Sequence, residues 1–181
     1  MKINSIIVED FYVDPDAVRE FALSQPFDVV GNYPGARTAT FFNDSVKEVI
    51  QRIIEPQSGL VTNWLDEKYS GSFQLCTEDH KTWIHADNHN TWAGVCYLTP
   101  NAPVTSGTAL YRHKESQDRE FVEELHDGNN MDDWEEVDRF GNIYNRLVLY
   151  RGNLYHASVD YFGTTPEDGR LFQTFFFNTE Y

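Results

Sequence analysis

Residues 81–89 read Lys-Thr-Trp-Ile-His-Ala-Asp-Asn-His, and this segment carries the strongest chemical signal in the chain. It places a histidine, His85, and a carboxylate, Asp87, two residues apart behind an apolar and aromatic lead-in. We predict a strand over residues 82–86. Because the side chains of a strand alternate between its two faces, His85 and Asp87 would then point to the same face.

One imidazole and one carboxylate on one face are two of the three ligands of a 2-His-1-carboxylate site, which holds Fe(II) and leaves positions open for other ligands. The second histidine must come from elsewhere. We predict His156, which follows an apolar strand at residues 147–150 and a Gly-Asn turn. His89 is the alternative, because it would complete a His-x-Asp-x-His stripe on one strand face. We favour His156, since a ligand from a second strand agrees with how β-folds build their sites.

The composition indicates one β-rich domain and limits its partners. With 181 residues and 40% hydrophobic content the chain can bury one core. A formal net charge of −15 argues against duplex nucleic acid and anionic membrane surfaces as partners. Cys76 and Cys96 lie in apolar runs, so neither a disulfide scaffold nor a thiolate metal site is expected. Residues 1–10 have too short an apolar run for a signal peptide, and we expect a cytoplasmic protein; no oligomeric state is indicated.

Two helices are predicted before residue 72. A strand at residues 3–8 precedes a helix over residues 14–23, with Asp14 as N-cap and Pro15 at the first helical position. In the second helix, residues 44–54, apolar residues repeat with a 3.6-residue period. We predict that Pro56 stops this helix.

From residue 72 onward short β-prone segments recur between turn signals, as in a sandwich or barrel. The predicted strands are 72–77, 82–86, 91–98, 107–112, 146–150, 154–159 and 170–178. Helices followed by strands predict an α+β, mainly β, single domain over residues 1–181, in which residues 1–71 support a β-core at residues 72–181.

An acidic segment, residues 114–145, interrupts this pattern. We predict helix at residues 117–125 and 132–138. One interpretation is a solvated acidic insertion whose apolar residues pack on the sheet. The other is a lid over the site, because long insertions in compact domains are often functional. The apolar residues that would close such a lid are Phe121, Leu125, Met131 and Trp134.

These motifs, taken in order, resemble those of the iron(II)- and 2-oxoglutarate-dependent oxygenase superfamily, in particular its prolyl-hydroxylase-like branch. Residues 85–88 resemble its His-x-Asp motif, 95–99 its Tyr-Leu-Asn strand, 107–111 its Gly-Gly-x-Leu strand, 146–150 the strand before its distal histidine, 156–159 its distal His-x-Val turn and 170–174 its Arg-x-x strand. The chain departs from that pattern with Thr99 in place of Asn, Ser106 in place of Gly, and a longer gap between His156 and Arg170.

The resemblance implies a double-stranded β-helix, a jelly-roll or cupin-like core, buttressed by the N-terminal helices. It implies that His85, Asp87 and His156 bind Fe(II), and that the presence of Asp87 favours hydroxylation over halogenation. It implies 2-oxoglutarate and O₂ as co-substrates, with succinate and CO₂ as products. The residues implied to bind 2-oxoglutarate are Arg170, for its distal carboxylate, and the hydroxyl groups of Tyr97 and Thr174.

The primary substrate is expected to be a peptide or a small molecule. An aromatic side chain beside a metal pocket can stack on a substrate ring, although Trp83 and Trp92 also suit the core. The candidates for the substrate pocket are Trp83, Asn88, Trp92 and Tyr111. Two other classes of function remain as alternatives: a metal- or ligand-binding β-sandwich without catalysis, and a cupin-like isomerase or lyase that needs no Arg170. The alternative interpretation of Arg170 is a surface ion-pair partner.

Overall fold

The computed structural model describes residues 2–65, 69–123 and 126–181. The chain forms antiparallel sheets with few helices. In order, the elements are β1 (Ser5–Val8), α1 (Pro15–Leu23), β2 (Ala36–Thr40), α2 (Asp44–Ser58), β3 (Leu60–Trp64), β4 (Ser72–Cys76), β5 (Trp92–Tyr97), β6 (Thr108–His113), β7 (Trp134–Phe140), β8 (Leu147–Arg151), β9 (His156–Ser158) and β10 (Arg170–Glu180).

The strands form a large and a small sheet. The large sheet has the order β1-β8-β5-β10-β4-β2, and β3 also pairs with β10. The small sheet has the order β7-β6-β9. Three strands of the large sheet, β1, β2 and β3, come from residues 1–71. The N-terminal region therefore contributes strands as well as the helices that the sequence predicts.

Alternation along β5 separates the two layers of the core. Its residues Trp92 and Cys96 pack in one cluster with Ala22 of α1 and with Ile50 and Ile54 of α2. The intervening residues of β5 pack in a second cluster with residues of both sheets. That second cluster contains Cys76, Ala93, Val95, Tyr97, Leu110, Phe140, Val148, Tyr150, Leu154 and Phe172. One face of the large sheet thus carries the helices, and the other faces the small sheet.

Helix α1 begins as the sequence predicts. Asp14 is its N-cap and accepts a hydrogen bond from the Ala17 backbone N–H at 3.0 Å, with Pro15 in the first turn. Within the described ranges, neither helix is long and apolar enough to cross a membrane.

Helix α2 differs from the prediction that Pro56 stops it, because it continues through that proline to Ser58. Proline lacks the N–H that would bond to the preceding turn, but here only the last turn loses that bond. The helix ends at Gly59, whose φ of 84° suits glycine and whose N–H donates to the Glu55 carbonyl at 3.2 Å.

The prediction of helix at residues 132–138 is wrong. A short 3-10 turn, Met131–Asp133, leads into strand β7, which pairs with β6. Apolar residues recur at Met131, Trp134 and Val137, and this spacing of three resembles a helical face. Pairing with β6 overrides that local pattern, as tertiary contacts often do.

Trp134 belongs to the core of the small sheet. Its side chain is 4% exposed, contacts the Tyr155 ring with a centroid separation of 4.6 Å, and donates from Nε1 to the Asp127 carbonyl. Phe121 and Met131 are exposed, and Leu125 lies outside the described residues. The structure therefore favours the interpretation that residues 134–140 are an integral part of the small sheet and not a lid.

We expect Trp134→Ala to lower the free energy of unfolding by about 3 to 5 kcal/mol, because it removes a large buried ring and leaves a cavity. Met131→Ala is the matched control in the same segment, and since Met131 is 41% exposed its cost should stay below about 1 kcal/mol. Urea unfolding of both variants measures the difference. Small effects for both would indicate that Trp134 is not packed permanently.

Candidate metal centre

Backbone hydrogen bonds hold His85 and His156 side by side. The His85 N–H donates to the His156 carbonyl at 3.0 Å, and the His156 N–H donates to the His85 carbonyl at 2.8 Å. The Asp87 N–H continues the pairing by donating to the Gly152 carbonyl at 2.7 Å. The predicted strand at residues 82–86 is not present, since His85 forms only an isolated bridge. The segment is nevertheless extended enough to bring His85 and Asp87 together.

Gly152 is required where the ligand segment approaches the turn before His156. A Cβ added at this position would lie 2.4 Å from the Asn90 carbonyl oxygen and 2.8 Å from that of Asp87. Any larger residue would push the two segments apart. The Gly-Asn turn that the sequence indicates is thus a close backbone contact within the site.

The three predicted ligands converge. The separation is 3.9 Å between His85 Nε2 and Asp87 Oδ1, and 3.6 Å between His156 Nε2 and Asp87 Oδ2. One ligand atom from each residue lies within 4.8 Å of the others, which is close enough for one metal ion. His89 is exposed and does not belong to this cluster.

The tautomers of both histidines suit metal binding. Nδ1 of His156 lies 2.8 Å from the Leu154 carbonyl, and Nδ1 of His85 lies 3.2 Å from the Trp83 carbonyl. A ring nitrogen that faces a carbonyl must carry the proton, so Nε2 of each ring keeps its lone pair. Both lone pairs are therefore available beside Asp87.

Burial keeps His156 neutral. Its side chain is buried, and this lowers its pKa to about 4, helped by the charge of His85 and opposed by Asp87 and the Leu154 carbonyl. Neutral imidazole is the form that binds a metal. His156 is thus ready to bind at pH 7 without first losing a proton.

The cluster opens into a cavity of about 930 Å³. Of the predicted substrate-pocket residues, Trp83 and Asn88 line it. The predictions for Trp92 and Tyr111 are wrong. Trp92 faces the helical layer and donates from Nε1 to the Ser58 hydroxyl, while Tyr111 packs with Trp134 on the other side of the small sheet.

Part of the cavity wall comes from residues that sequence reasoning missed. They lie in the N-terminal half and include Asn32, Tyr33, Pro34, Arg37, Asn63, Trp64, Leu65, Tyr69 and Gln74. The sequence analysis predicts no strand at residues 36–40, although the alternation of Thr38 and Thr40 around Ala39 is typical of a strand. Nothing local indicates that β2 reaches the metal cluster, because that follows from its pairing with β4.

Arg170 is fully buried beside this cavity. Its Nε donates to the Ser106 carbonyl at 3.0 Å and Nη2 to the Gly107 carbonyl at 3.2 Å. Nη1 is buried and has no hydrogen-bond partner among the described residues. Phe172 lines the cavity and contacts the guanidinium, whose carbon lies 4.2 Å from the ring centroid. Arg170 does not itself line the cavity. The Phe172 side chain therefore separates the Arg170 guanidinium from the cavity, and Arg170 has no salt bridge to a described carboxylate.

The two predicted hydroxyl groups both donate within the protein and differ in their position relative to the cavity. Tyr97 is buried near Arg170, and its hydroxyl donates to Thr108 Oγ1 at 2.9 Å. Thr174 lines the cavity, but its hydroxyl donates to the Tyr69 carbonyl at 2.6 Å. The proton of Thr174 is thus committed to the backbone, and only its oxygen lone pairs face other partners.

One family model matches the sequence. The sequence matches the model of a family of unknown function, DUF6445, over residues 2–133. No curated protein matches it.

Solved structures match over nearly the whole chain. HygX from Streptomyces hygroscopicus, with nickel, 2-oxoglutarate and hygromycin B bound, is 12% identical, with a TM-score of 0.63 over 98% of this chain and 84% of HygX. A prolyl hydroxylase from Trichoplax adhaerens, in complex with a hypoxia inducible factor peptide fragment, is 12% identical, with a TM-score of 0.58 over 96% of this chain and 83% of that one. A Pseudomonas putida prolyl-4-hydroxylase is 14% identical, with a TM-score of 0.51 over 98% of this chain and 94% of that one.

Two of these neighbours are thus prolyl hydroxylases, and the third is a protein crystallised with nickel and 2-oxoglutarate. At such low identities the likeness shows the fold. The resemblance that the ordered motifs indicate is therefore confirmed at the level of the fold.

We expect the stability of the metal-free protein to fall as the pH falls from about 6.5 to about 4. The unfolded chain, in which His156 has its ordinary pKa, binds more protons than the folded chain across this window, so the unfolding free energy rises with pH. Between about pH 7 and about pH 5 the contribution of His156 is about 2 kcal/mol. Urea unfolding of the protein and of His156→Gln measures it. Equal pH slopes for the two would show that His156 titrates normally.

Proposed function

We propose that this chain, which belongs to the family of unknown function DUF6445, is a Fe(II)- and 2-oxoglutarate-dependent dioxygenase that hydroxylates a peptide or small molecule. The observation that carries the proposal is the convergence of His85, Asp87 and His156 in a fold shared with such oxygenases. The two sheets would form the double-stranded β-helix, with α1 and α2 supporting the large sheet.

The donor set fits iron. Two imidazole nitrogens, from His85 and His156, and one carboxylate oxygen, from Asp87, would hold Fe(II) and would leave positions open for other ligands. Neither cysteine offers a thiolate, since burial raises the pKa of both Cys76 and Cys96. A structural zinc site, which normally takes four protein ligands, is therefore disfavoured.

The bound group would supply the oxidising chemistry. With Fe(II), 2-oxoglutarate and O₂ present, the 2-oxo acid becomes succinate and CO₂, and one oxygen atom enters a C–H bond of the substrate. His85, Asp87 and His156 would position the metal at the floor of the cavity. The cavity walls would exclude water from the reaction.

Arg170 is the proposed anchor for the distal carboxylate of 2-oxoglutarate. A buried cation without an anionic partner is unfavourable, and its unpartnered Nη1 is a donor that a carboxylate would satisfy. Two other arginines are less suitable. Arg146 pairs with Glu9, and Arg151 stacks on the Trp92 ring in the helical layer. Tyr97, adjacent to Arg170, is the better placed of the two proposed hydroxyl groups.

The class of the primary substrate is proposed from the ligands of the neighbours and from the size of the cavity. Among the neighbours, HygX holds hygromycin B and the Trichoplax adhaerens enzyme holds a peptide fragment. Both classes are compatible with a cavity of about 930 Å³. The second candidate function, a cupin-like metal- or ligand-binding protein without catalysis, would use the same cluster but would not consume 2-oxoglutarate.

We expect His85→Ala, Asp87→Ala and His156→Ala each to weaken binding of Fe(II) or Mn²⁺ by at least about 100-fold, because loss of a direct ligand exceeds the effect of losing an outer-shell partner. His89→Ala is the control and should bind like the parent, since His89 lies outside the cluster. Anaerobic calorimetric titration gives the affinities. If His89→Ala were weakened and His156→Ala were not, the assignment of the second histidine would be wrong.

Turnover of 2-oxoglutarate tests the proposed enzyme directly. We expect the Fe(II)-loaded protein to release succinate in the presence of O₂, at a higher rate when a substrate is found in a panel of peptides and small molecules. Arg170→Gln should raise the Kd for 2-oxoglutarate roughly thirty-fold to several thousand-fold, because truncating a desolvated charged partner costs about 2 to 5 kcal/mol.

Arg151→Gln is the matched control for Arg170→Gln, since it removes a half-buried arginine that faces the other side of the large sheet. Its affinity for 2-oxoglutarate should be unchanged. Metal binding without any succinate formation would support the non-catalytic alternative. An unchanged Kd in Arg170→Gln would place the carboxylate anchor elsewhere.

A further inference from the structure

A second buried arginine lies on the wall of the cavity that contains the metal cluster. Arg37 is on β2, where it pairs with Gln74 of β4, and it is 6% exposed. It lines the same cavity as His85 and His156. Unlike Arg170, it therefore borders directly on the space that a substrate would occupy.

Neighbouring side chains hold the Arg37 guanidinium in place. Nε donates to Gln74 Oε1 at 2.8 Å, and Gln74 is itself fixed because its Nε2 donates to the Pro34 carbonyl at 2.6 Å. The guanidinium carbon lies 3.9 Å from the centroid of the Tyr33 ring and 5.7 Å from that of Phe176. Among the described residues, neither Nη1 nor Nη2 has a hydrogen-bond partner. The hydrogen bond of Nε thus orients the guanidinium, while Nη1 and Nη2 remain available to a ligand.

Arg37 has no counterion in the part of the chain that the structure describes. This is unusual in a protein with 29 acidic and 14 basic residues, where carboxylates are abundant. Asp87 acts on Arg37 through its charge but forms no salt bridge with it. A guanidinium stays protonated at neutral pH, so this is a buried and unpaired positive charge. Buried charges in proteins are normally paired with a group of opposite charge.

We propose that Arg37 binds a carboxylate of the primary substrate and thereby orients that substrate over the metal cluster. The proposal rests on the proposed oxygenase function. The free Nη1 and Nη2 atoms form the edge of the guanidinium that matches the two oxygens of a carboxylate. A phosphate dianion fits less well, since it would bring two negative charges to one cation near Asp87. The aromatic wall formed by Tyr33, Trp64 and Phe176 suits an apolar or aromatic body attached to that carboxylate.

The co-substrate is the other carboxylate that could reach Arg37. Arg170 and Arg37 are on different strands, β10 and β2. Among the described residues, Nη1 of Arg170 is buried beside Tyr97 without a hydrogen-bond partner, whereas Arg37 borders the open space of the cavity. We therefore assign the distal carboxylate of 2-oxoglutarate to Arg170 and the substrate carboxylate to Arg37. The two assignments are tested separately.

The experiment compares a carboxylate probe with its neutral counterpart. The zinc-loaded protein, saturated with 2-oxoglutarate and unable to turn over, is titrated with N-acetyl-leucine and with N-acetyl-leucine amide, and binding is followed by NMR chemical shifts. We expect the acid to bind at least about tenfold more tightly than the amide. Arg37→Gln should abolish this difference, and Arg37→Lys should retain only part of it, because lysine lacks the planar fork.

Three controls separate the possible outcomes. Arg170→Gln should lose affinity for 2-oxoglutarate but keep the preference for the acid. Arg37→Gln should keep its affinity for 2-oxoglutarate and lose the preference for the acid. Equal affinity of the unsubstituted protein for acid and amide would overturn the proposal, as would a loss of 2-oxoglutarate affinity in Arg37→Gln as large as that in Arg170→Gln. The same titration on metal-free protein keeps this test independent of the oxygenase proposal. If Arg37→Gln does not fold, Arg37→Lys decides, and an undiminished preference for the acid in that variant would count against bidentate binding.

Discussion

The reciprocal backbone hydrogen bonds between His85 and His156 are the contact on which the candidate site depends. They join a segment between β4 and β5 to the start of β9, two regions separated by 71 residues in sequence (156 − 85). Because these bonds fix the backbone, the ring orientations follow from local contacts of Nδ1 with the carbonyls of Leu154 and Trp83. Asp87 is then brought beside both rings by the close approach to Gly152. The cluster, in which His156 is buried and His85 and Asp87 are partly exposed, is pre-organised, since no large movement is needed before a metal can bind.

The layered core explains why the site lies on one side of the large sheet. Residues of β5 alternate between the helical layer and the space between the sheets, so each strand contributes both to the support and to the site. Trp92 illustrates the first role. It is fully buried against the helices and contributes stability, whereas its neighbour Ala93 faces the interior on the side of the cluster. The same alternation on β10 places Arg170, Phe172 and Thr174 on one face.

The buried charges differ in sign from the net charge of the chain. The chain is strongly acidic, yet two of its arginines are buried without a salt bridge to any described carboxylate. Unpaired buried charges are costly, and they persist in proteins chiefly where function requires them. Arg170 is on β10 and Arg37 is on β2, the two strands that flank β4 in the large sheet. The proposals above place a carboxylate at each of these two cations.

The sequence by itself determined the features that depend on short spacing. The alternation of a strand brings His85 and Asp87 to one side even though no regular strand forms there, and the order of the motifs pointed to His156 and to Arg170. Capping chemistry placed the start of α1 at Asp14. Only the tertiary structure decided that β2 and β7 are strands, that Trp92 and Tyr111 face away from the cavity, and that Arg37 lines it. Local spacing determines which side chains share a face, but the pairing of distant strands determines what that face meets, and that pairing rests on hydrogen bonds and packing between residues far apart in the chain.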